Sequence, residues 1–124
     1  MNKIKSLKTK VFNQYKKNLK NVSEIKLQVS DPDTKHSQWM FGVRIPGNKS
    51  YIDIEKFFKS NHIEVRPMFY PINQHAHLKH IKYDSIDVAS KLNNECVILP
   101  SYPTLKDHEI CHITNTLKAY IISK

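Results

Sequence analysis

Residues 96–105 read Cys96-Val97-Ile98-Leu99-Pro100-Ser101-Tyr102-Pro103-Thr104-Leu105. The first four are apolar without a break, the signature of a short buried strand. Pro100 and Pro103 end it, because proline has no N–H to give to a ladder. Thr104 with Asp107 then resembles a capping box, and Ile110, Ile113, Leu117, Tyr120 and Ile121 recur at helical spacing. A strand thus feeds a terminal helix across a proline-rich turn.

Working back toward the N-terminus, Ile63-Glu64-Val65-Arg66 reads as another strand, closed by Pro67. Before it, Ser50 is placed to N-cap a helix with Asp53 at N3, Ile54, Phe57 and Phe58 form its apolar face, and Asn61 supplies a stop. Trp39, Phe41, Val43 and Ile45 share one face of a strand that Pro46-Gly47-Asn48 ends, and the parity puts Trp39 in the core. Ile25, Leu27 and Val29 alternate as a half-buried strand, separated from the next by the turn residues Ser30-Asp31-Pro32-Asp33-Thr34. Residues 1–20 form a basic amphipathic helix with a stripe at Ile4, Leu7, Val11, Tyr15, Leu19 and, just beyond, Val22, and Asn21 offers a left-handed stop. A short helix is expected from near Ser85, carrying Val88, Ala89 and Leu92. Residues 68–84 are the least regular part. The order is helix, strand, strand, helix, strand, helix, strand, helix, which predicts an α+β fold with a small, partly antiparallel sheet covered by helices.

With 124 residues, the chain has room for one domain, residues 1–124, in which 25–124 form the α+β body. Its 40% hydrophobic and 25% charged composition excludes a disordered or collagen-like chain. No apolar run approaches the ~18 residues of a membrane span, and two cysteines do not make a secreted disulfide scaffold. A cytoplasmic, membrane-free protein is expected. The net charge of +9 is local: residues 1–26 carry eight lysines against Glu24. Such a segment can serve nucleic acid or be the solvated face of a helix. The chain has 18 Lys and only Arg44 and Arg66 as arginines, whereas specific phosphate and base contacts favour Arg. Specific nucleic-acid recognition is therefore not expected.

Catalytic chemistry is sparse. His75, His77 and His80 lie within six residues, and His108-Glu109-Ile110-Cys111-His112 has the zinc-hydrolase spacing. Ile110 and Ile113 mark the buried face of that helix and no third ligand is placed, so no metal site is assigned. Cys96 and Cys111 sit where packing thiols sit. The two glycines, Gly42 and Gly47, make no phosphate-cradling loop. No residue is assigned a catalytic role.

The stretch Ile63-Glu64-Val65-Arg66-Pro67-Met68-Phe69-Tyr70-Pro71, taken with Val97–Leu105, resembles the C-terminal domain of the DegT/StrS-type pyridoxal-phosphate sugar aminotransferases, including the perosamine-synthetase-like members. In that family a long helix ends in Tyr-x-x-x-Leu, matched here by Tyr15-Lys16-Lys17-Asn18-Leu19. The Trp39–Ile45 strand, the Arg-Pro segment and the Leu-Pro-x-Tyr-Pro segment follow in the family's order. The likeness runs from about Leu7 to Ile122.

The resemblance implies the small domain of a fold type I pyridoxal-phosphate (PLP) enzyme. The parent reaction would move an amino group from glutamate to a 3-keto or 4-keto nucleotide sugar, in amino-sugar and polysaccharide biosynthesis. It implies substrate-binding roles for Arg66, Tyr70 and Asn73, with His75 beside them. Arg suits a diphosphate and Tyr a sugar or base face. The alternatives for these two are an ion pair for Arg66 and helix packing for Tyr70. The family's large domain, with its Schiff-base lysine, has no counterpart here. PLP is accordingly expected in the complete, dimeric enzyme, bound mainly by the missing large domain or a partner chain, and not by this chain alone. Such a chain is a fragment or split-gene product, inactive alone, and exposes an apolar docking patch expected at Ile4, Leu7 and Val11. Two departures stand out: Asn61-His62 where the family usually has Gly before the Ile63 position, and Asn73 where many members have His. The rival reading is a small basic module that contacts nucleic acid through its N-terminal helix.

Overall fold

A computed structural model of the chain describes residues 2–78, 80–82 and 87–124. In chain order the elements are α1 (Asn2–Leu19), β1 (Lys26–Leu27), β2 (Phe41–Arg44), α2 (Tyr51–Ser60), β3 (Arg66–Pro67), α3 (Asp87–Glu95), β4 (Cys96–Leu99) and α4 (Asp107–Ile122), with two 3-10 turns at Ile72–Gln74 and Ala76–Leu78. The expected start of α3 near Ser85 lies outside the described residues.

The strands form one sheet in the order β1-β2-β4-β3. The buried strand β4 sits inside it, with Phe41 opposite Leu99 and Val43 opposite Val97 on one side, and Arg66 opposite Ile98 on the other. All three pairings are antiparallel. The sheet is thus more uniform than the partly antiparallel one expected, because β2 and β3 both run against the strand between them.

Alternation divides the sheet into two faces. Phe41, Val43, Ile45, Val65, Val97 and Leu99 join the core with Ile54 and Phe58 of α2 and Ile110, Ile113 and Leu117 of α4. α1 closes that side: Tyr15 stacks on Phe41 at 4.5 Å between centroids, and Phe12 meets the same ring edge-on at 5.1 Å. The helix is amphipathic only from its middle onward. Val11, Tyr15 and Leu19 are buried, whereas Ile4 is 61% exposed.

Several local expectations shift. Asn21 is not left-handed; the positive-φ residues outside glycine are Gln38 and His62, among those described. At the end of α2 the left-handed position falls on His62 (φ 60°), while Asn61 keeps φ −101°. His62 N–H reaches Lys59 O and Ile63 N–H reaches Phe58 O, both at 3.0 Å, which is the Schellman pattern. Ser50 does N-cap α2, through the Ile52 N–H. The α4 cap moves from Thr104 to Lys106, whose N–H donates to Glu109 Oε2 at 2.7 Å, so Glu109 and not Asp107 closes the turn. β3 pairs at Arg66–Pro67, three residues beyond the expected start, and Pro67 is tolerated because this is an edge strand. Trp39, expected in the core, precedes the paired part of β2 and is 66% exposed. No helix among the described residues is long and apolar enough to cross a membrane.

Candidate functional site

The second sheet face carries Gly42 and Arg44 from β2, Cys96 and Ile98 from β4, and Arg66 from β3, since cross-strand partners share a face. α1, α2 and α4 fill the opposite face. Around Ile98 three open cavities of about 720, 670 and 590 Å³ meet, and all three share Trp39, Met40 and Ile98. Their rims are aromatic: Trp39 and Phe69 are each 66% exposed, with ring centroids 6.2 Å apart, and Tyr70 is 55% exposed. Ile98 and Cys96 on the face itself are buried, so the exposed apolar surface is the aromatic rim, and exposed apolar surface gathered on a small domain marks an interaction site.

This displaces the expected patch. Of Ile4, Leu7 and Val11, the last is buried beneath the sheet, Leu7 is half-buried and only Ile4 stands in solvent. The larger aromatic surface lies at the rim of the second sheet face.

Arg66 and Tyr70 line the 670 Å³ cavity together. Arg66 is exposed, and no acid among the described residues lies within ion-pair distance of it. The Tyr70 ring meets the His75 ring edge-on at 5.3 Å, and His75 meets His77 at 5.7 Å. Asn73 lies in the first 3-10 turn, and its Oδ1 is buried without a hydrogen-bond partner among the described residues. Asn73 and His75 line none of the three cavities; His75 joins them through Tyr70.

The far wall of the 720 Å³ cavity is α4, with His108, Glu109 and His112, and the His112 Nε2 lies 3.1 Å from Asn61 O. Among the described residues no group of three or more His, Cys, Asp and Glu side chains is placed to hold a metal. On the sheet face, Glu95 is fixed by the Gly47 N–H at 2.9 Å and the Arg44 guanidinium at 2.6 Å. These contacts hold its carboxyl below the ordinary carboxylate value, and burial pushes the neighbouring Cys96 thiol up. Neither group is poised as a nucleophile or base.

The described residues do not fit PLP. An imine needs a free lysine amine in a pocket. Lys8, whose pKa burial lowers, has its ammonium bonded to Trp39 O and Ser101 O, and apart from half-buried Lys118 the remaining described lysines are exposed. Neither the contacts of Lys8 nor the exposure of Trp39 is legible in the sequence, because both residues follow the spacing of ordinary surface and core positions.

The chain is thus a small α+β domain whose second sheet face is rimmed by exposed Trp39, Phe69 and Tyr70. Residues 1–118 match the DegT/DnrJ/EryC1/StrS aminotransferase family, and the chain belongs to it. The GDP-perosamine synthase of Escherichia coli O157:H7 is 24% identical over 119 residues, which are 96% of this chain and 32% of that protein. The chain spans about a third of the length of this curated relative. The fold is that of the aminotransferase TlmJ from Streptoalloteichus hindustanus (TM-score 0.84, 13% identity, 96% of this chain and 32% of that one). It also matches the sugar aminotransferase CalS13 from Micromonospora echinospora (TM-score 0.80, 12% identity, 95% and 31%). A further neighbour of the same fold, from Streptococcus pneumoniae, was solved in a PLP form (TM-score 0.84, 17% identity, 97% and 32%).

Proposed function

We propose that this chain is the C-terminal, small-domain part of a PLP-dependent aminotransferase that acts on a keto nucleotide sugar, and that it docks through the aromatic rim of its second sheet face on the larger part that carries the cofactor. The observation that carries the reading is that face: Trp39, Met40 and Ile98 join three cavities on a unit about one third the length of its relative. The occupant is the two-thirds of the relative that this chain does not match.

In this reading Arg66, exposed beside Tyr70 and without an ion-pair partner among the described residues, grips the diphosphate of the substrate, for which a guanidinium fork is suited. Tyr70 offers its ring face to the sugar or base and is buttressed by His75. Asn73, in the first 3-10 turn after Tyr70, is assigned to the same substrate contacts by the family pattern. These groups bind and orient. The electron-sink chemistry belongs to PLP in the larger part, which completes a cytoplasmic, dimeric enzyme, and this chain alone is inactive.

The test is to purify the chain with the product of the adjacent upstream reading frame and assay amino transfer from glutamate to keto nucleotide sugars. Activity of the pair, lowered at least tenfold by Arg66→Ala with the main effect on KM, is expected. An inactive pair, or an upstream product without a PLP lysine, contradicts the reading.

A further inference from the structure

Lys8 is placed unlike its neighbours on α1. Its Nζ donates to Trp39 O at 2.5 Å and to Ser101 O at 2.6 Å, with Ser101 Oγ at 3.4 Å, and it lies 5.6 Å from the Phe12 ring centroid. No carboxylate takes part. The same helix sends Thr9 Oγ1 to Gln38 Oε1 at 2.6 Å and Tyr15 OH to Pro100 O at 2.7 Å. α1 thus grips two loops, 36–39 and 100–102, and Trp39 and Tyr102 from these loops both line the 720 Å³ cavity.

The first loop is strained. Gln38 is left-handed (φ 55°) without being glycine, and its N–H is taken by His36 Nδ1 at 2.8 Å. Such a conformation persists only where surroundings over-determine it, and it clusters at functional positions. Here the constraint leaves the backbone of Trp39 fixed and its indole in solvent. A large aromatic group held still before contact loses little entropy on binding, which is what makes an anchor at an interface.

We propose that Lys8 is a positioning residue that holds Trp39 and Ser101-Tyr102 as the fixed rims of the docking face, with Trp39 the anchor on which the larger part of the enzyme closes. This rests on the docking reading above, and the experiment separates the two. Trp39 is the chain's one tryptophan, so its fluorescence reports the rim directly. Lys8→Met keeps the aliphatic stem and removes the charged donor. The expected result on the chain alone is lower Trp39 anisotropy and hydrogen-exchange protection reduced about tenfold or more at residues 36–41 and 101–102. Amides in the second half of α4 keep their protection, and Lys8→Arg restores the rim. Unchanged rim exchange and anisotropy in Lys8→Met overturns the proposal. So does a uniform loss that includes α4, because it would make Lys8 a general stability residue. The anchor is read in the pair, where Trp39→Ala is expected to weaken association at least tenfold while the rim amides stay protected. A pair that does not associate at all contradicts the docking reading and leaves the rim result standing.

Discussion

Glu95 shows how one side chain ties three segments together. Its carboxylate accepts from Gly47 N–H and Arg44 Nε, and its backbone carbonyl accepts from Ile45 N–H at 2.7 Å. The Gly47 N–H, followed by Arg44, holds its pKa below the ordinary value of 4.5. A carboxyl lowered on folding contributes stability that is complete above its unfolded value and is lost as pH falls through the lower folded value. Glu95→Gln is expected to cost about 1–3 kcal/mol at pH 7 and to flatten the loss of stability below pH 4.5. Urea unfolding at pH 7 and pH 3.5 measures both. A variant as stable as the parent at pH 7 would remove this residue from the account.

Helices and strands were largely legible because their periods are clear. The buried run Cys96–Leu99 and the apolar positions of α2 and α4 stand where the spacing put them. The misses have a common cause: tertiary partners that spacing cannot see. Trp39 has the parity of Phe41 and Val43 but lies beyond the β2–β4 ladder, and Lys8 bonds to loops 31 and 93 residues away. Within the candidate site, Arg66, Tyr70, Asn73 and His75 were named from the family pattern. The sheet face that now surrounds two of them follows from strand order, which no local pattern encodes.

The α2 C-terminus tests the element scale directly. A non-glycine residue in the left-handed region costs about 1–2 kcal/mol, partly offset in glycine by backbone entropy. His62→Gly is therefore expected to stabilise the chain by about 1 kcal/mol in chemical denaturation. A loss of stability would mean that the His62 side chain does more than occupy its turn. On α1, Lys10 pairs with Asp107 at 3.6 Å and Lys8 is turned inward, leaving Lys3, Lys5, Lys16, Lys17 and Lys20 exposed. Oligonucleotide binding is expected to be sequence-blind, in the range of about 10⁻⁴–10⁻⁶ M near physiological salt, and to weaken steeply as salt rises. Nanomolar affinity for one sequence would favour the nucleic-acid module instead.

At the scale of the whole molecule, the chain has a filled core on one side of its sheet and an aromatic, open surface on the other. Arg66 and Tyr70 lie at that open surface, and the described lysines fit no cofactor pocket. In the proposed reading this unit supplies substrate contacts and a docking face while the Schiff-base lysine lies elsewhere. Incubation of the purified chain with PLP, borohydride reduction and mapping of labelled lysines by mass spectrometry tests it most directly. The account predicts scattered, substoichiometric labelling of exposed lysines. Stoichiometric labelling of one shielded lysine would contradict it.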